Sequence, residues 1–272
     1  MIIDVIKILI PAMVAFFIGI AITPVVTHYL YKHHAWKKKG VSVAIDGRSA
    51  SISHALHNDE MKKTPRMGGL IIWISASVTI IIFYFIDFLF PYDIAAKLDF
   101  LSRNQTWLPF FTLIAASLVG LIDDIMQVSE KGGYKAGGLS LKKRIAVVLL
   151  IGLIGGWWFY FKLGVSSIAL PFDGSFNIGI FFIPFFMLVM LALFSSGVID
   201  GIDGLSGGVM APIFAAYAGI AFFNNQIDLA AFSATLVGGI LAFLWFNVPP
   251  ARFYMSETGM LGLTTTLAVI AF

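Results

Sequence analysis

Apolar residues fall in runs of about 15 to 24, enough for helices crossing a hydrocarbon core ~30 Å thick. The runs are Ile8 to Tyr31, Gly68 to Phe90, Leu108 to Ile122, Ile145 to Phe161, Ile178 to Gly197, Gly207 to Phe223 and Leu229 to Phe246. An eighth starts at Gly259 and reaches the last residue, Phe272, without a polar flank. The pattern predicts an all-α, polytopic membrane helix bundle of seven spans plus the start of an eighth. No soluble segment, repeat or low-complexity tract interrupts it, so residues 1–272 read as a single integral membrane domain. The abrupt end reads as a C-terminally incomplete chain.

Composition agrees with this reading and narrows the chemistry. With 59% hydrophobic and 12% charged residues, most helices must be apolar on every face, which excludes a soluble domain. The absence of cysteine removes disulfides, thiolate metal sites and cysteine nucleophiles together. Of the 18 lysines and arginines, 14 lie in the loops after runs one, three, five and seven. By the positive-inside rule those loops are cytoplasmic and the N-terminus is outside. Lys32-His33-His34, rather than small residues, follows the first run, which therefore reads as an uncleaved anchor.

Asp123-Asp124 stands where the third run gives out. Two adjacent carboxylates at the C-terminal end of a helix repel each other and face the negative end of its dipole, so a cation must hold them. Either the lysines of the following loop do so, or the pair belongs to a metal or phosphate site. The loop continues through Lys131 and Lys135, whose plainer role is contact with anionic lipid, to Gly138-Leu139-Ser140-Leu141-Lys142-Lys143-Arg144.

The other loops of that face also carry polar chemistry. Lys62-Lys63-Thr64-Pro65-Arg66-Met67-Gly68-Gly69 leads into the second run, and its glycines permit close backbone approach at a helix start, a favourable place for phosphate. Asp200-Gly201-Ile202-Asp203-Gly204 contains two acids and no basic residue. Acids three apart can share one side of a helical turn. A helix cap accounts for one of them, and the second calls for an outside cation such as Mg²⁺. The fourth loop, Phe246-Asn247 through Pro249-Pro250 to Phe253-Tyr254-Met255-Ser256-Glu257, combines an amide, aromatics and a carboxylate. Phe253 reads as an interfacial anchor. His33, His34, His54 and His57 read as unliganded residues at headgroup level.

Together these loops resemble the polyprenyl-phosphate hexosamine-1-phosphate transferase superfamily, of the glycosyltransferase family 4 type. The likeness is greatest to its phospho-N-acetylmuramoyl-pentapeptide transferase branch, because an insert separates Asp124 from Gly138. The family motifs are Thr-Pro-x-Met-Gly-Gly, Asp-Asp with a downstream Gly-Leu-Ser, Asp-Gly-x-Asp-Gly, and Phe-Asn…Pro-Ala…Met-Gly-Asp-x-Gly. They correspond here to Thr64 to Gly69, Asp123-Asp124 with Gly138 to Arg144, Asp200 to Gly204, and Phe246 to Gly259.

The resemblance implies Mg²⁺-dependent transfer of a phospho-sugar at the cytoplasmic face of the bacterial cytoplasmic membrane. The donor would be UDP-N-acetylmuramoyl-pentapeptide and the acceptor undecaprenyl phosphate, giving lipid I and uridine monophosphate. It implies Asp123 and Asp124 as the catalytic pair, Glu257 as metal ligand, and Lys62, Lys63, Thr64 and Arg144 near the phosphates. Asp203 and Tyr254 would take the uracil, and Asp200 and Asn247 the donor. Besides these substrates it implies contact with membrane lipid and none with nucleic acid; a homodimer is open. It also implies ten helices, with a histidine-bearing loop beyond Phe272.

The chain departs from the pattern in several places. Gln127 and Arg144 stand for lysines, Phe194 and Gly197 for asparagines, Ser256 for glycine and Glu257 for aspartate. Two other readings stay open: a related UDP-N-acetylhexosamine transferase, and a non-catalytic relative of the same fold. A transporter ranks last, because the acids lie at the ends of the runs.

Overall fold

The computed structural model describes residues 2–36, 64–89, 99–101, 104–129, 138–169 and 174–272. In lipid an apolar segment must satisfy its own backbone N–H and C=O groups, and a helix does so within one segment. Among the described residues these are α1 (Ile2–Lys32), α2 (Gly69–Leu89), α3 (Asn104–Val128), α4 (Leu141–Lys162), α5 (Phe182–Ser195), α6 (Leu205–Phe223), α7 (Ile227–Asn247) and α8 (Ser256–Ile270). Six of the eight are long and apolar enough to cross a membrane. The shorter α5 is flanked by 3-10 turns at Gly179–Phe181 and Ser196–Ile199. Between α4 and α5, Ser167–Ala169 and Ser175–Asn177 pair as a small antiparallel hairpin.

The bundle has two organising helices. The first, α7, packs against α1, α2 and α6, and α8 packs against α3, α5 and α2. α8 is buried on all sides, from Thr258 to Ile270. Two of its polar residues fit there because Thr264 and Thr265 donate their hydroxyls back to the carbonyls of Met260 and Leu261. At the opposite extreme, α1 exposes Leu9, Met13, Phe17 and Val25, as a lipid-facing helix does.

One boundary differs from the sequence expectation in a way that matters. α3 does not stop at Ile122; it runs through Asp123 and Asp124 to Val128. A reading of hydropathy ends the helix at its first charge. The chain continues because both carboxylates are buried against partners from other segments, while Ile125, Met126 and Val128 keep the helix apolar.

Two glycines let the start of α8 sit deep in the bundle. A Cβ on Gly120 would lie 2.1 Å from the Glu257 carbonyl oxygen, and one on Gly69 would lie 2.3 Å from the Gly259 nitrogen. Gly120→Ala must push α8 away from α3, and overpacking of this kind costs ~1–3 kcal/mol. We expect a melting temperature lowered by several degrees in detergent. Gly219→Ala, with nothing within 4 Å of its Cβ, should melt at or above the parent temperature.

Candidate active site

The first N–H groups of a helix have no partner within it. Met255, which precedes α8, supplies no side-chain cap. The caps come from two other segments. Asp200 Oδ2 accepts from the Ser256 N–H at 2.9 Å, and Asp124 Oδ2 accepts from the Thr258 N–H at 2.8 Å and the Thr258 hydroxyl at 2.7 Å. Carboxylates are favoured at a helix N-terminus by its dipole as well as by the hydrogen bonds. The other oxygen of Asp124 accepts from Arg66 Nε at 3.3 Å, and the Asp124 side chain is wholly buried.

Arg66 was not singled out from sequence. A signal was present, since it is the one cation within the Thr64 to Gly69 stretch on a face rich in unneutralised acids.

Asp123 is held by three donors: Gln127 Nε2 at 2.8 Å, Arg144 Nη2 at 2.7 Å and the Leu139 N–H. Gln127 lies one helical turn beyond Asp123, the spacing that brings side chains together. Gly138 makes the Leu139 contact feasible. Its φ is +136°, and a Cβ there would lie 2.5 Å from Gln127 Cγ and 2.8 Å from Asp123 Oδ1. Arg144 also binds Glu257 Oε1 through Nη1. One guanidinium therefore joins α3, the start of α4 and the first turn of α8.

The first and fourth loops are laced together beside this network. Tyr254 N donates to the Pro65 carbonyl at 2.9 Å, Gly68 N to the Tyr254 carbonyl at 2.8 Å and Met67 N to Ser256 Oγ at 3.3 Å. Met67 and Ser256 both take left-handed backbone conformations, with φ of 69° and 58°. Such strain in non-glycine residues persists only where surroundings impose it. At Ser256 the bonds through its N–H and hydroxyl do so, in a position where the family pattern has glycine.

The structure brings Asp123, Asp124, Arg144, Asp200, Asp203 and Glu257 to the same end of the bundle, but with distinct neighbours. Asp200 and Asp203 do not share a helical turn: they lie in a non-helical loop, and Asp203 Oδ2 accepts from the Ala251 N–H at 2.9 Å. Tyr254 sits beside Asp203 and Thr64. Burial, the Asp203 charge and the hydrogen bond to Asp203 push its hydroxyl up to about 12.

One sequence reading is corrected, that of Phe253. Phe253 is no interfacial anchor: its ring is buried against Phe243 and Phe246. Asn247 is fully buried, accepting from Gly204 N at 3.0 Å and donating to the Phe253 carbonyl at 2.8 Å, so it braces the third loop against the fourth. Lys62, Lys63, Lys131, Lys135, His54 and His57 lie outside the described residues.

The electrostatics leave a surplus. Among the described residues, Asp123, Asp124, Asp200 and Glu257 lie within reach of two guanidiniums, Arg66 and Arg144. Four carboxylates against two guanidiniums leave a surplus of two acids among those residues. Burial pushes the Asp200 carboxyl above the ordinary range, against the pull of Arg66 and the Ser256 N–H. Asp200 Oδ1 is buried without a hydrogen-bond partner among the described residues, and the Ser206 hydroxyl lies near enough to draw the carboxyl down slightly.

An oxygen-only donor set with two uncompensated charges suits a hard divalent cation. Among the described residues no three His, Asp or Glu side chains converge as metal ligands. Mg²⁺ does not require that, since it binds through one or two carboxylates together with water and substrate phosphates.

The fold and site define a polytopic helical membrane protein whose loops close around buried carboxylates and arginines at one end of the bundle. The chain belongs to glycosyl transferase family 4, which residues 106–272 match. It is similar to the phospho-N-acetylmuramoyl-pentapeptide-transferase of Latilactobacillus sakei subsp. sakei (strain 23K), with 33% identity over 96% of this chain and 74% of the relative. The protein of that name in Anoxybacillus flavithermus (strain DSM 21510 / WK1) is 31% identical over 97% of this chain and 74% of its own length. That of Clostridium botulinum (strain Eklund 17B / Type B) is 30% identical over 76% of this chain, which spans only 59% of it.

Asp200 generates a pH prediction. A folded-state pKa raised above the ordinary 3.8 means that the unfolded chain loses this proton first as pH rises. Its contribution to stability is therefore greatest below 3.8 and declines as pH rises through the window up to the folded value. Asp200→Asn, which retains an acceptor for the Ser256 N–H, should flatten this decline in metal-free buffer. Melting temperature measured against pH for both proteins is the check.

Proposed function

We propose that the chain transfers phospho-N-acetylmuramoyl-pentapeptide from its UDP-linked donor to undecaprenyl phosphate, forming lipid I and releasing uridine monophosphate for peptidoglycan synthesis. The observation that carries this reading is the convergence of four loops on one buried carboxylate and arginine network at a membrane end. The names of the similar proteins support the same reaction. The site faces the cytoplasm in this reading: Lys32, Arg66, Lys142, Lys143, Arg144 and Arg252 flank the site ends of the helices, whereas Lys7 and Lys162 lie near the opposite ends.

A lipid phosphate and a diphosphate must meet in line here, although they repel each other. Mg²⁺, held through Glu257 and the unpartnered oxygen of Asp200, would offset the charge on the diphosphate and on the departing uridine monophosphate. Arg144 and the first-loop lysines provide the remaining positive charge. Tyr254 and Asp203 form the flank where a base can stack and hydrogen-bond.

Asp123 positions rather than deprotonates. The acceptor is a phosphate monoester with a second pKa near ~6, already mostly dianionic at pH 7. Asp123 is engaged by three donors, an arrangement that fixes its geometry. Gln127 and Glu257, which depart from the family pattern, are both bonded within the network, which favours a tuned enzyme over a decayed one.

The test is uridine monophosphate release from protein in vesicles containing undecaprenyl phosphate and Mg²⁺. We expect release with UDP-N-acetylmuramoyl-pentapeptide, little with UDP-N-acetylglucosamine, and none after chelation. Preference for the smaller donor would move the chain to the hexosamine branch, and release from neither would leave a non-catalytic relative. Asp123→Asn should lower turnover by about a hundredfold with an unchanged pH profile. A lost acidic limb of that profile would instead make Asp123 a general base.

A further inference from the structure

We propose that Arg144 is an exchangeable counter-ion: it competes with a divalent cation for the Glu257 carboxylate and, once displaced, turns its guanidinium to a phosphate oxygen of the substrate. This rests on the reading of Glu257 as a cation ligand given above. Three features of the site carry it.

The first is the double contact. Arg144 holds Asp123 through Nη2 and Glu257 through Nη1, so its charge occupies one oxygen, Oε1, of the carboxylate that a hard cation would use. The second is the difference between the two halves. The Asp123 side chain is 3% exposed, whereas those of Arg144 and Glu257 are 23% and 24% exposed. The Glu257 contact is the one open to exchange, and Asp123 is the hinge.

The third feature is an unused donor. Arg144 Nε is buried and has no hydrogen-bond partner among the described residues. A buried donor without an acceptor is unfavourable, and a phosphate oxygen arriving beside the guanidinium would relieve it. Arg66 cannot play the same part, because its contact is with an Asp124 side chain that has no exposure.

Competition predicts opposite signs for two measurements on one variant. An arginine that only supports the fold would weaken both cation binding and turnover when removed. One that only binds phosphate would leave cation binding unchanged. An exchanging arginine, when removed, strengthens cation binding and weakens turnover. A lysine in its place retains charge but, as a single compact ammonium, cannot span both carboxylates with separate nitrogens.

The experiment is a titration of the detergent-solubilised protein with Mn²⁺ alone, followed by electron paramagnetic resonance, beside the uridine monophosphate assay. We expect Arg144→Gln to bind Mn²⁺ about tenfold more tightly, an ordinary coupling between neighbouring ligands. Its turnover should fall at least about a hundredfold. Unchanged or weaker Mn²⁺ binding overturns the proposal. Should Arg144→Gln show no cooperative melting, Arg144→Lys decides: a smaller gain in Mn²⁺ affinity supports exchange, and no gain overturns it. Glu257→Gln separates the two readings. Mn²⁺ affinity equal to the parent's would remove Glu257 as cation ligand, whereas weakened binding there with no gain in Arg144→Gln would remove only the exchange.

Discussion

The start of α8 is capped by carboxylates from other parts of the chain, and the rest of the site follows from that contact. A buried helix with unsatisfied N–H groups at its first turn would be strongly disfavoured. Asp124 of α3 and Asp200 of the loop before α6 supply the acceptors. To do so, α3 must continue past its apolar run and its side chains must allow close approach, which Gly120 provides. A fold requirement thus places acids from two distant segments against the helix that carries Glu257.

Putting carboxylates there creates the charge problem on which the proposed chemistry depends. Arg66 and Arg144 neutralise part of it, and each arrives from a different loop. Buried ion pairs are poor sources of stability, since desolvation consumes most of the attraction. Among the described residues the surplus acids, the Asp200 oxygen without a partner and the Arg144 nitrogen without a partner fit a capacity for ligands. A cation and a phosphate would each satisfy one of them.

Much of this was legible in the sequence. Hydropathy predicted the helices because membrane spans advertise themselves by length and uniform apolarity, and loop position placed the acids at one end. What escaped depended on tertiary contacts. The end of α3 was misjudged because a local reading cannot see that Asp123 and Asp124 are paired across the fold. The bonds of Asn247 and Asp203 to backbone of a neighbouring loop are invisible in sequence, because loop–loop contacts have no local signature. Arg66 escaped because a single arginine beside proline and glycine has no periodicity to mark it.

The central claim is that the buried acids form a reaction site and not merely a structural clasp. The pair Arg66 and Asp124 tests it most directly, because replacing both partners of a buried ion pair disturbs folding far less than removing one. In the double variant Arg66→Gln with Asp124→Asn, the asparagine still accepts from the Thr258 N–H. Melting temperature and uridine monophosphate release should be measured together. Melting should stay within a few degrees of the parent, and release should fall to background. A double variant that melts like the parent and turns over at the parent rate would contradict it.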